Sequence, residues 1–210
     1  MTKNKTKYAL IMVMVVVSLL GFCVESIFTG FTHGFLSNKN MIFPFLWGYG
    51  LAILLLYVLF GTPENPLWFT KATNFTNKTQ KYVYYFIIAF FGVCIGEILL
   101  GYLVEFSCDI IWWDYSIIPF NITKYTSVPT STAFASLIFI FMRYIFNPLL
   151  DRFSSMNYTA LKVIAISFAT VLTLDMINSA LYMLIKRNTL QIWKIKFKKS
   201  GLEWFKQLLS

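Results

Sequence analysis

The sequence predicts an all-α fold, a polytopic membrane bundle of about five transmembrane helices. Two observations carry this. Of 210 residues, 58% are hydrophobic and only 13% charged, with mean hydropathy +0.65, whereas a soluble domain carries about 25% charged residues. The apolar residues also gather into five runs, each near the roughly 20 residues that a helix needs to cross a hydrocarbon core of about 30 Å. Backbone amides in lipid have no water to bind, so runs lacking the alternation of barrel strands must close their hydrogen bonds as helices.

The first run, 8–30, follows Lys3, Lys5 and Lys7. It resembles a secretory signal, but its length and the four later runs make it a retained span. The second, 42–61, opens with Pro44, Trp47, Gly48, Tyr49 and Gly50. That pattern is either a helix-start proline in an interfacial aromatic belt or the lining of a cavity. The third, 82–104, contains Gly92-x-x-x-Gly96 and then Gly101, a spacing that predicts a close helix crossing beside Glu97. The fourth and fifth span 128–147 and 162–185.

Residues 1–188 thus read as the transmembrane domain and 189–210 as a basic amphipathic tail. In the tail Lys194, Lys196, Lys198, Lys199 and Lys206 alternate with Ile192, Trp193, Ile195, Phe197, Leu202 and Trp204, which suits a segment lying on anionic lipid. A sixth crossing or re-entrant segment is the alternative. The net charge of +9 sits in loops and tail, so membrane lipid is the expected partner and nucleic acid is not. Lys and Arg divide nine and nine between the two sides of a five-span chain, and dominance of the first helix puts the amino terminus in the cytoplasm.

Cys23, Cys94 and Cys108 form no Cys-x-x-Cys pair and His33 is the sole histidine, so no metal site is expected; Cys23 and Cys94 read as apolar fillers. No cofactor is implied. Asn74, Asn77, Asn121 and Asn157 begin Asn-x-Thr triplets, a weak signal for glycosylation.

The candidate site comes from the acids. Helices 1, 3 and 5 run parallel in a five-span chain, so Glu25, Glu97 and Asp175, about 17, 15 and 13 residues into their runs, lie in the same half of the bundle. An ionisable group there costs at least about 2.5 to 3.5 kcal/mol and normally marks a pathway or a site. Trp112-Trp113-Asp114-Tyr115-Ser116, with Pro119-Phe120-Asn121 after it and Glu105 before it, places aromatic anchors and acids at the nearby surface. Glu25, Glu97, Glu105, Asp114, Tyr115, Asn121 and Asp175 are therefore the pathway or binding candidates, and Trp47, Trp112 and Trp113 the mouth and its anchors. No catalytic residue is assigned. The blander alternatives are that Glu25 and Glu97 reach headgroups and that Asp175 clamps helices, with Asn178 and Ser179 one turn on to bond it.

These residues also carry a resemblance. Glu97, Tyr102 and Glu105, followed by Trp112 to Ser116 and Pro119-Phe120-Asn121, resemble the signature of a bacterial membrane family named "Putative ABC-transporter type IV", or CmpB-like. Gly21-Phe22-Cys23-Val24-Glu25 is similar to its Gly-Trp-x-x-Glu element, and Leu46-Trp47-Gly48-Tyr49-Gly50 to its Ile-Tyr-Gly-Phe-Gly element. Asn147-Pro148-Leu149-Leu150 is similar to the close of its fourth span, and Leu174-Asp175 to an acid in its last. An Arg usual after Pro-Phe-Asn falls on Tyr125 here, leaving Lys124 as the nearby cation, and Pro44 alone remains of a second-span Gly-Pro-x-Cys-Pro pattern. The resemblance implies a multi-pass protein of the bacterial plasma membrane, of transporter type.

Three functions fit. The first is a transporter permease-type subunit with an acid-lined polar pathway. It lacks a Gly-x-x-x-x-Gly-Lys-Ser/Thr loop, so a separate ATPase or other membrane subunit would supply ATP hydrolysis. The second is a non-catalytic membrane assembly or sensing factor. The third is an intramembrane enzyme acting on a lipid or isoprenoid, with Glu97 and Asp114 as acid and base.

Overall fold

A computed structural model of the chain describes residues 3–197. Five rods dominate it: α1 (Lys3–His33), α2 (Trp47–Phe60), α3 (Lys78–Cys108), a rod running from α4 (Val128–Ile140) into α5 (Phe146–Ser155), and α6 (Tyr158–Lys186). All but α2 are long and apolar enough to cross a membrane. The all-α membrane bundle is thus the observed class. The remaining secondary structure is three two-stranded ribbons: β1 (Phe35–Ser37) with β6 (Lys194–Lys196), β2 (Leu67–Trp68) with β3 (Lys71–Ala72), and β4 (Asn121–Thr123) with β5 (Thr126–Ser127).

Asparagine or serine caps α3, α4 and α6. Asn77 Oδ1 accepts from Thr79 N at 2.9 Å, Asn157 Oδ1 from Thr159 N at 2.9 Å, and Ser127 Oγ from Thr130 N at 3.3 Å. Two of the Asn-x-Thr triplets are therefore helix caps, the asparagine satisfying an amide that has no partner within its helix. The fourth rod carries a π-helical turn, Phe141–Ile145, in which the Phe146 amide reaches back to Phe141 O. It lies just before Pro148, whose ring would meet the Tyr144 carbonyl in a regular α-helix.

The termini sort the bundle into two ends. Tyr8 stacks edge-on against Tyr158 at 5.9 Å, joining the starts of α1 and α6. At the far end Arg187 binds the Ser107 carbonyl and lies 3.4 Å from Asp109, joining the ends of α6 and α3. There, too, β6 pairs antiparallel with β1, Leu36 opposite Ile195. Residues 194–196 thus form a strand held on the loop after α1; Lys198, Lys199, Leu202, Trp204 and Lys206 lie outside the described residues.

The second span departs from expectation. Residues 42–46 are not helical, and α2 begins at Trp47. The Leu46 amide donates to Ser18 O at 2.9 Å, near the middle of α1, so the chain enters the bundle in a bent, non-helical form and becomes helical only at depth. Asp175 provides the reason. Its carboxylate, buried on α6, accepts the Ile42 amide at 2.9 and 3.2 Å and the Phe43 amide at 3.0 Å. Ser179, one turn on, binds the Asn40 carbonyl and Met41 Sδ. A non-helical segment at membrane depth persists only where protein satisfies its backbone, and α6 does so here.

Close crossings are made by glycines other than the expected pair. A Cβ at Gly50 would lie 2.5 Å from Met14 O, one at Gly21 would lie 2.7 Å from Tyr49 Cγ, and one at Gly101 would enter the Tyr125 ring. Around Gly92 and Gly96 nothing lies within 4 Å of that position, so the predicted tight crossing beside Glu97 is not formed within the chain. Both face outward on α3.

Candidate functional site

The far end of the bundle brings three of the predicted residues, Glu25, Glu97 and Tyr115, to one region. Glu25 on α1 accepts the Tyr49 hydroxyl at 2.5 Å, which binds the first turn of α2 to the upper half of α1. Glu97 on α3 accepts from Ser131 Oγ at 3.5 Å, and Ser131 Oγ lies 2.8 Å from Thr126 Oγ1. Tyr115, from the loop after α3, is buried and packs its ring edge-on against Phe28 of α1 at 6.1 Å. Burial raises the pKa of its hydroxyl, and the nearby Glu25 and Glu97 charges raise it further. The hydroxyl therefore stays protonated and is available as a donor. The Glu25 and Glu97 carboxylates, the Tyr49 and Tyr115 phenols and the Ser131 and Thr126 hydroxyls thus make a polar region at this end of the bundle.

The loop carrying Tyr115 is pinned in four places. The Tyr115 amide donates to Lys124 O at 2.7 Å, and Trp113 Nε1 to Tyr125 O at 2.9 Å. Glu105 accepts from Lys124 Nζ and from Tyr125 Oη at 2.8 Å. Tyr125 is fully buried, its ring seated on Gly101. A lysine and a tyrosine together satisfy the acid. The Glu105 partner raises the Lys124 pKa; Tyr125 is raised first by burial and then by Glu105.

Other candidates stand apart. Asp114 accepts the Ser116 amide at 2.7 Å in a local turn, and the Ser116 hydroxyl and amide hold its carboxyl below the usual range. It is exposed, as is Asn121 in β4. Trp112 and Trp113, in the same loop, pack with tilted rings 5.7 Å apart. Trp47 lies in the core, 5% exposed, against Met14, Val15 and Leu172, because the non-helical segment before it carries the helix start inward. Asp175 is occupied by the Ile42 and Phe43 amides, while Asn178 is exposed and Ser179 turns to Asn40 instead.

Two participants carried no signal of their own. Tyr49 belongs by sequence to an aromatic helix start with no acid in its own span; its partner, Glu25, comes from α1, 24 residues away. Lys39, held in a left-handed conformation, donates to the Glu25 carbonyl at 3.1 Å and to Thr29 Oγ1 at 2.5 Å. Burial lowers its pKa, partly offset by Glu25. Among the described residues no group of three or more His, Cys, Asp or Glu is placed to hold a metal, and Cys23, Cys94 and Cys108 are free.

A helical bundle with four helices long and apolar enough to cross a membrane, and with acids in one half of it, defines a multi-pass membrane protein. Residues 12–180 match the family described as "Putative ABC-transporter type IV", and the chain belongs to it. No curated protein and no solved structure matches the chain.

Proposed function

We propose that the chain is the membrane-embedded, permease-type subunit of a transporter in a bacterial plasma membrane, and that Glu25, Tyr49, Glu97 and Tyr115 form the polar station on its pathway. The observation that carries this reading is the Tyr49 hydroxyl bound to Glu25 in the bundle interior, with both Glu25 and Glu97 close enough to the buried Tyr115 hydroxyl for their charges to act on it. Intramembrane acids on different helices that face hydroxyls mark a pathway for a cation or proton. Glu105 and the 109–127 loop then hold the mouth, and Trp112 and Trp113 anchor it at the interface. Asp175 acts as a clamp on the entry of α2.

ATP hydrolysis would be supplied by a separate ATPase subunit. The test is purification from membranes in mild detergent, followed by ATP hydrolysis by the isolated complex. An ATPase should co-purify, and Glu25→Gln or Glu97→Gln should change its hydrolysis rate while the complex stays intact. Purification without an ATPase, or hydrolysis indifferent to both substitutions, refutes the proposal.

A further inference from the structure

At the opposite end of the bundle, α3 begins with an unassigned groove of about 260 Å³ lined by Glu64, Thr76, Lys78, Lys81 and Tyr82. Its depth follows from helix length. A 31-residue α3 is about 46 Å long, longer than a hydrocarbon core of about 30 Å, so its first turn stands in the headgroup region. The groove holds opposite charges in unequal number. Glu64 Oε1 lies 3.8 Å from Arg143 Nε, and the Arg143 guanidinium stacks over Tyr82 at 4.3 Å, so that acid is offset by its own cation. Lys81 Nζ reaches only the Glu64 carbonyl, at 3.2 Å, and Lys78 Nζ lies 5.9 Å from the Tyr82 ring centre. Among the described residues neither ammonium has a carboxylate within ion-pair distance.

We propose that this groove binds a phosphate group, taken from an anionic lipid headgroup or from free phosphate, between Lys78 and Lys81. Two uncompensated ammonium groups supply the charge and the donors. Thr76 adds a hydroxyl beside them, and the amino terminus of α3 adds a positive dipole end. Basic recesses at helix ends, at headgroup depth, are where anionic lipids are retained.

The experiment is native mass spectrometry of the full chain in detergent with phosphatidylglycerol added, with and without millimolar inorganic phosphate. The Lys78→Gln/Lys81→Gln chain should hold the lipid about thirtyfold more weakly, each cation near such a headgroup being worth about a factor of five. Lys71→Gln, at the same end but outside the groove, should bind as the parent does. Glu64→Gln, which removes the opposing charge without changing size, should bind about fivefold more tightly. Lipid retention untouched by inorganic phosphate assigns the phosphate to the lipid. Displacement by inorganic phosphate also supports the site and makes free phosphate its ligand. Equal retention by the parent and the double variant, or by the parent and Glu64→Gln, overturns the proposal.

Discussion

The two arrangements of acid in this bundle differ in what they bind. Asp175 is engaged by backbone: both of its oxygens accept amides of Ile42 and Phe43. Glu25 and Glu97 are engaged by side chains that can turn away: the hydroxyls of Tyr49 and Ser131. A carboxylate tied to backbone is part of the fold, because removing it strands amides that nothing else reaches. A carboxylate tied to hydroxyls can exchange its partners for a ligand. Depth and charge are similar in the two cases, so the partner decides the role.

The contrast can be broken most forcefully at Asp175. Asp175→Ala leaves the Ile42 and Phe43 amides without an acceptor at membrane depth, and each such group costs about 1 to 3 kcal/mol. The substitution should destabilise the chain by about 2 to 5 kcal/mol in thermal or denaturant unfolding in detergent. Asp175→Asn keeps one carbonyl acceptor and should lose less than half as much. If Asp175→Ala unfolds like the parent, the clamp is not a structural element.

Gly101→Val tests how firmly the loop over the second arrangement is seated. A side chain there meets the buried Tyr125 ring, and overpacking of this kind costs about 1 to 3 kcal/mol. Emission from Trp112 and Trp113 should shift as the loop lifts, with the 42–46 segment unchanged. A parent-like spectrum would mean that the loop is not held through Tyr125.

Glu97→Gln sharpens the comparison in the other sense. It keeps the shape and a partner for Ser131, so unfolding should stay within about 1 kcal/mol of the parent, the size of a neutral hydrogen-bond change. If Glu97 serves the proposed pathway, ATP hydrolysis by the proposed complex should fall nonetheless. A large loss of stability would put Glu97 in the same class as Asp175.

The smallest effect is expected from pH. The folded pKa of Lys124 is raised by Glu105, so its pairing stabilises the loop below the unfolded lysine value of about 10.4. That contribution is lost as pH rises through the raised folded value. Alkaline titration followed by tryptophan emission should show a loop transition above that value. Lys124→Gln should abolish the transition with little change in overall unfolding, as expected for a solvent-screened pair. A transition that persists in the variant would assign it to another group.

Much of this molecule is legible from composition and spacing. Runs of apolar residues near the bilayer thickness can only be helices in lipid, so the number and order of the rods follow from the chain. The parallel sense of the first, third and last spans then puts Glu25, Glu97 and Asp175 in one half, and the motif residues around Glu97 and Trp112 to Asn121 point to the family. Local caps are legible for the same reason: Asn77 and Asn157 bind amides two residues away, an interaction contained within the sequence window.

Tertiary structure alone decided which acid does what. Asp175 meets amides 132 and 133 positions distant, Glu25 meets a tyrosine across a turn, and Gly21, Gly50 and Gly101 rather than Gly92 and Gly96 take the close contacts. Hydrophobicity depends on each residue and its neighbours, so a sequence determines it alone. Satisfaction of a buried charge depends on what the fold brings within about 3 Å, and spacing along the chain does not encode that distance.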